Sequence, residues 1–129
     1  MADHQLKYSV LPEKFAVCRL APSATIPEWA LASQIFSVMR TADELSVVCG
    51  EELVPAGTPA ERGWACIQLR GPFPFEMTGV LAAVLNPLAV AGLGIFAMST
   101  FDTDYILVKA DRLRAAQDAL SSAGHIEVR

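Results

Sequence analysis

The chain has 129 residues, 53% hydrophobic and 19% charged, with a formal net charge of −4 at pH 7. That is enough apolar material for one compact domain or two small, tightly associated subdomains, and a charge content below the usual one of about a quarter points to surface buried in an interface. Its 10 Lys and Arg are scattered without a basic run, which argues against a nucleic-acid surface, where cations must gather against phosphate.

In chain order, Met1-Ala2-Asp3-His4-Gln5 has no basic stretch leading into an apolar one, so no signal peptide is read and a cytoplasmic location is expected. Tyr8 to Leu11 reads as a leading strand and Phe15 to Leu20 as the next. A short helix is expected near Pro27 to Ala32, then a strand at Ile35-Phe36 and another from Leu45 to Cys49. Glu51 to Gly63, punctuated by Pro55, Gly57 and Pro59, reads as a linker.

Trp64 to Arg70 alternates, with Ala65, Ile67 and Leu69 on one face, as a strand does. Gly71-Pro72-Phe73-Pro74 forces a loop. The next helix is expected to start at Glu76, where an acid suits the positive helix end. It should run through Val80, Leu81, Val84, Leu85 and Leu88 towards Ala91, kinked at Pro87 and ended by Gly92 and Gly94. Ile95 to Phe101 and Tyr105 to Lys109 form a hairpin about Asp102-Thr103. Asp111 is the expected N-cap of a last helix with the apolar stripe Leu113, Ala116, Leu120 and Ala123, stopped by Gly124, and Ile126 to Val128 can add a short strand.

Met77 to Met98 carries no charge and is long enough to raise the question of a membrane span. Asn86-Pro87 near its middle, the glycines at its end and the absence of flanking cations make it a buried helix followed by a buried strand instead. Cys18, Cys49 and Cys66 each lie in or at the end of an apolar run without C-x-x-C spacing, and read as buried thiols of a reducing compartment.

The second half therefore runs β-α-β-β-α-β, an α+β, ferredoxin-like arrangement whose two helices cover one sheet face and leave the other face, or an edge, for a partner. The first half repeats it in shortened form. Phe15-Ala-Val-Cys-Arg-Leu20 parallels Trp64-Ala-Cys-Ile-Gln-Leu69, Ile35-Phe36 parallels Ile95-Phe96, and Thr41-Ala42-Asp43 parallels Thr100-Phe101-Asp102. The shared order predicts duplication of one supersecondary unit, with residues 1–62 as a degenerate unit carrying the leading strand and linker, its helix shortened, and 63–129 as the full one.

The segments from Phe75 to Leu88 and from Gly94 to Val108 resemble the ACT-domain group of small bacterial tandem proteins. They are also similar to the ligand-binding halves of the animal cytosolic arginine sensor and, more distantly, to the regulatory region of aspartate kinases. The resemblance covers nearly the whole chain and is strongest over 64–109. It implies two tandem βαββαβ units and a free amino acid held where units meet. By position, contacts would come from Glu76, Gly79 and Val80 at the helix start, and from Thr100, Phe101 and Asp104 at the hairpin. The chain has two ACT-like units where the arginine sensor has four, and no kinase domain.

Amino-acid chemistry fits these positions without the resemblance. The first turn of a helix offers unpaired N–H groups to a carboxylate, and Gly79 allows close approach to that backbone. Asp102 or Asp104 at the hairpin end can accept an ammonium, while Glu76 near the helix start would compete with a bound carboxylate and suits a basic group better. Two acids in one pocket favour arginine or lysine. Each residue also has a purely structural reading: Asp at a tight turn, Thr100 as a strand former, Phe101 as core, Gly79 for helix packing and Glu76 as a first-turn charge.

No phosphate loop occurs, Gly92-Leu93-Gly94 lacks the dinucleotide pattern, and the 2 histidines, His4 and His125, have no metal-ligand spacing. The expectation is a non-enzymatic amino-acid-binding regulatory module, without metal or cofactor, acting as a homodimer. The alternative is an oligomerisation or protein-interaction module on the same fold without a small ligand.

Overall fold

A computed structural model describes residues 4–129. They form two compact units: Glu13–Trp64, and the described residues up to Pro12 together with Ala65–Arg129. Residues 4–12 thus belong with the C-terminal unit.

The N-terminal unit is built on the second half of β1 (Lys7–Leu20), which pairs antiparallel with β3 (Leu45–Gly50) in the register Ala16↔Cys49, Cys18↔Val47 and Leu20↔Leu45. β3 pairs in turn with β2 (Ser37–Arg40), and the first residues of β4 (Ala60–Leu69) complete the order β2-β3-β1-β4. Ala16, Cys18, Leu45, Val47 and Cys49 are inward members of the alternation and pack with Ala30 of α1 (Glu28–Leu31) and with Val54. Where a second helix would lie, the chain makes only a 3-10 turn at Glu51–Leu53. The stretch read as a linker therefore contributes that turn and the start of a strand. The unit is a βαββαβ fold with one helix cut to a single turn and the other to less.

In the C-terminal unit the first half of β1 lies beside β4, followed by β6 (Asp104–Lys109) and β5 (Ile95–Ser99). β7 (Ile126–Glu127) pairs parallel with β1, so the leading strand sits between β7 and β4. α2 (Val80–Val90) presents Val80, Val84 and Leu88 at i, i+4, i+8, and α3 (Leu113–Ser122) presents Ala116 and Leu120, to a core with Leu6, Tyr8, Ala65, Ile67, Leu69, Ile106 and Val108. Two expectations are corrected here. α2 starts at Val80 rather than Glu76, and Asp111 lies in a 3-10 turn, Ala110–Arg112, without capping α3 by its side chain. On the sheet face away from the helices, Cys66 and Leu107 are fully buried.

The two hairpins close alike, as the internal repeat predicts. Thr41 N–H donates to Glu44 O at 2.9 Å and its hydroxyl accepts from Glu44 N–H at 3.2 Å; Thr100 and Thr103 make the same pair of bonds at 2.8 and 3.3 Å. All three cysteines are free and buried, and burial pushes the Cys49 thiol up to about 11. No helix among the described residues is long and apolar enough to cross a membrane.

The seam of β1 with β7 yields a measurable consequence. Burial, and then the Glu127 carboxylate that accepts the Tyr8 O–H at 3.5 Å, push the phenol up to about 12. Its folded value lies above the ordinary 10.0, so the neutral phenol stabilises the fold fully below that pH and the contribution disappears as pH rises through about 12. An alkaline absorbance titration should show one of the 2 tyrosines ionising late, and Tyr8→Phe should remove that component. A late component that survives the substitution would contradict the assignment.

Candidate functional site

A cleft of about 350 Å³ opens in the C-terminal unit between the loop before α2, the first turn of α2 and the β5–β6 hairpin. That volume is at the lower end of the range for small-molecule sites, roughly 300–1,000 Å³. Phe73, Pro74, Phe75 and Met77 come from the loop, Gly79, Val80, Leu81 and Ala82 from the helix start, and Ser99 through Asp104 from the hairpin.

The helix start is set by Gly79. It takes φ 81 at the N-cap, a left-handed conformation costly for any residue with a Cβ. Among the described residues no side chain caps α2, so the N–H groups of Val80, Leu81 and Ala82 form an uncapped first turn beside the cleft, at the positive end of the helix dipole.

The hairpin is held by its own hydroxyls. Thr100 Oγ1 donates to Thr103 O at 3.2 Å and accepts from Thr103 N–H, so it is spent on the turn. Thr103 Oγ1 donates to Leu69 O at 2.9 Å, and Phe73 N–H donates to Asp102 O at 2.9 Å, which ties loop to hairpin. Gly71 makes that closeness possible: a Cβ there would stand 2.8 Å from Asp102 O and 3.1 Å from Thr103 Cβ.

Two carboxylates border the cleft. Asp104 Oδ1 accepts from the Ser99 hydroxyl, while the Asp102 side chain has no partner among the described residues. Among the described residues no Lys, Arg or His lines the cleft. Phe75 and Phe101 meet edge to face with centroids 4.9 Å apart at 65°, yet are 75% and 79% exposed. Phe101 is therefore not a core residue.

Of the residues singled out in the sequence, Gly79, Val80, Thr100, Phe101, Asp102 and Asp104 come together around this cleft. Glu76 does not; it lies exposed in the turn before α2 and outside the lining. The sequence reading missed the loop wall of Phe73, Phe75 and Met77, and also Ser99. For the wall, the signal is a run of large apolar residues, with Phe73 in the expected loop, Phe75 just after it and Met77 in the expected first turn of the helix.

A second cleft, about 330 Å³, is lined by Tyr8, Arg114, Gln117, Asp118, Ser121, His125 and Glu127. Most of its polar groups are already paired: Gln117 Nε2 donates to Glu127 at 2.9 Å, Arg114 pairs with Asp118 at 3.4 Å, and both His125 nitrogens are engaged. Among the described residues no group of three or more His, Cys, Asp and Glu is arranged to hold a metal ion.

A sequence profile of the ACT domain matches residues 60–122, and one described as an N-terminal domain matches residues 13–57. A solved structure of an Agobacterium tumefaciens protein is 38% identical, with a TM-score of 0.92, covering 97% of this chain and 93% of that one. The chain belongs to the ACT-domain family. The ACT fold also appears at lower identity in a possible transport protein from Vibrio cholerae, 19% identical with a TM-score of 0.75, covering 93% of this chain and 91% of that one. The regulatory subunit of aspartate kinase from Thermus thermophilus is 14% identical with a TM-score of 0.60, covering 95% of this chain and 99% of that one. No match was found among curated proteins.

Proposed function

We propose that this ACT protein is an amino-acid-binding regulatory module, and that the cleft holds one free amino acid. One observation carries the reading: an uncapped helix N-terminus and two hairpin carboxylates face one small cleft. The first-turn N–H groups of Val80, Leu81 and Ala82 take the α-carboxylate, and Gly79 lets it approach. Asp104 and Asp102 take the ammonium or a cationic side chain, and Phe75 and Phe101 offer ring faces to the remainder. A cleft with acids and aromatic rings but no cation favours arginine or lysine over acidic amino acids. The module transmits occupancy to a partner and catalyses nothing; we place it in the cytoplasm as a homodimer.

The test is a thermal-shift screen against the twenty amino acids, repeated with Asp104→Ala. A ligand at about 100 times its Kd should add roughly 2.7 kcal/mol, several degrees for a chain of this size. A shift from one or two amino acids that the substitution abolishes supports the reading, and no shift from any of them sinks it.

One set of observations favours a second reading, a protein-interaction module without a small ligand. Phe75, Phe101 and Met77 are exposed, α2 carries no charge, and its Val90 is 90% exposed. That module would self-associate and show no amino-acid stabilisation.

A further inference from the structure

We infer that His4 is a positioning residue for the uncapped first turn of α2, an inference that rests on the amino-acid reading of the cleft. His4 Nε2 lies 2.7 Å from Thr78 O, a bond across 74 positions of sequence. Thr78 O can only accept, so Nε2 carries the proton. The ring also lies against the next residue: a Cβ on Gly79 would stand 3.5 Å from Nε2 and 3.6 Å from Cδ2.

This contact falls where α2 is otherwise least constrained. Gly79 has no side chain to pack and, among the described residues, none caps the helix, so local sequence does little to fix the Thr78–Gly79 peptide. Holding Thr78 O fixes the plane of that peptide, and with it the direction in which the helix and its free N–H groups set out.

The imidazole can act as a pin because the chain is anchored from two residues further on, at Leu6 and Lys7. Ile126 N–H donates to Leu6 O at 2.9 Å, Leu6 N–H donates to His125 Nδ1 at 3.1 Å, and Arg70 N–H donates to Lys7 O at 2.9 Å. The segment leading into that strand, which is inserted between β7 and β4, thus brings one donor to the start of α2. His4 orients the groups that would hold a carboxylate and is not itself assigned a ligand contact.

The test compares wild type, His4→Ala and His4→Gln, since glutamine keeps a side-chain N–H donor and alanine does not. Two quantities are read: the affinity for the amino acid found by thermal shift, and backbone ¹⁵N relaxation in the ligand-free protein. His4→Ala should weaken binding on the order of tenfold, the worth of about one hydrogen bond, and should lower backbone order at 78–82 alone. His4→Gln should restore both. Unchanged order at 78–82 in His4→Ala, order lost throughout the unit, or failure of His4→Gln to restore either quantity would overturn the inference. If wild type binds none of the twenty amino acids, the functional reading fails, and relaxation alone still decides whether His4 holds the turn.

Discussion

Replacing His125 with alanine should lower the unfolding free energy by about 3 kcal/mol, the largest stability loss expected from a single polar side chain here. His125 is 6% exposed and uses both ring nitrogens: Nδ1 accepts from Leu6 N–H at 3.1 Å, and Nε2 donates to Ala83 O at 2.8 Å. The Ala83 carbonyl is available for a reason written in the sequence. Pro87, four residues on and inside α2, has no N–H to give it. His125 therefore answers the orphan acceptor that proline creates and binds α2, the leading strand and the α3–β7 junction together. Truncation leaves a buried donor, a half-buried acceptor and a ring-sized void. Pro87→Ala gives the explanation its control, because the new N–H can serve Ala83 O and His125→Ala should then cost about 1 kcal/mol less. Urea denaturation of the four proteins measures it. Equal costs in both backgrounds would show that the Pro87–His125 pairing is not what the imidazole is kept for.

Gly71→Ala is expected to cost about 1–3 kcal/mol and to spoil the cleft. The new methyl would lie 2.8 Å from Asp102 O, a backbone atom that cannot swing away as a flexible side chain could. Relief requires the hairpin to move from the loop, which would stretch the bonds from Phe73 N–H to Asp102 O and from Thr103 Oγ1 to Leu69 O. Stability by urea denaturation and amino-acid affinity should fall together. A variant as stable as wild type with unaltered affinity would mean that the loop and hairpin need not be held so closely.

Much of the C-terminal unit was legible because its signals are local. The alternation of Ala65, Ile67 and Leu69, the spacing of Val80, Val84 and Leu88, and the turn at Asp102-Thr103 each need only a few neighbouring residues, and each is found in the structure. The errors arise where a local rule met a stronger one. Glu76 is a good first-turn residue, but the left-handed Gly79 cannot sit inside a helix, so α2 begins after it. Tyr8–Leu11 and Phe15–Leu20 read as two strands, yet β1 runs through both, with Pro12 at an exposed position where a missing N–H is tolerable. Residues 51–63 read as linker on their prolines and glycines, although β4 already starts at Ala60.

Of the cleft, the helix start and hairpin were visible as positions, and the loop wall was not. Pairing Phe75 with Phe101, or His4 with Thr78, requires knowing which distant segments the sheet brings together. No period or spacing in one sequence encodes that. The same holds for His125, whose partners Leu6 and Ala83 are remote in the chain.

The most direct test of the account is amide chemical-shift mapping of the ¹⁵N-labelled protein during titration with each amino acid, arginine and lysine first. Saturable shifts are expected for one or two of them, concentrated at Gly79 to Ala82 and at Ser99 to Asp104. Shifts from none of the twenty, or shifts confined to the second cleft around Tyr8, Gln117 and Glu127, would contradict it.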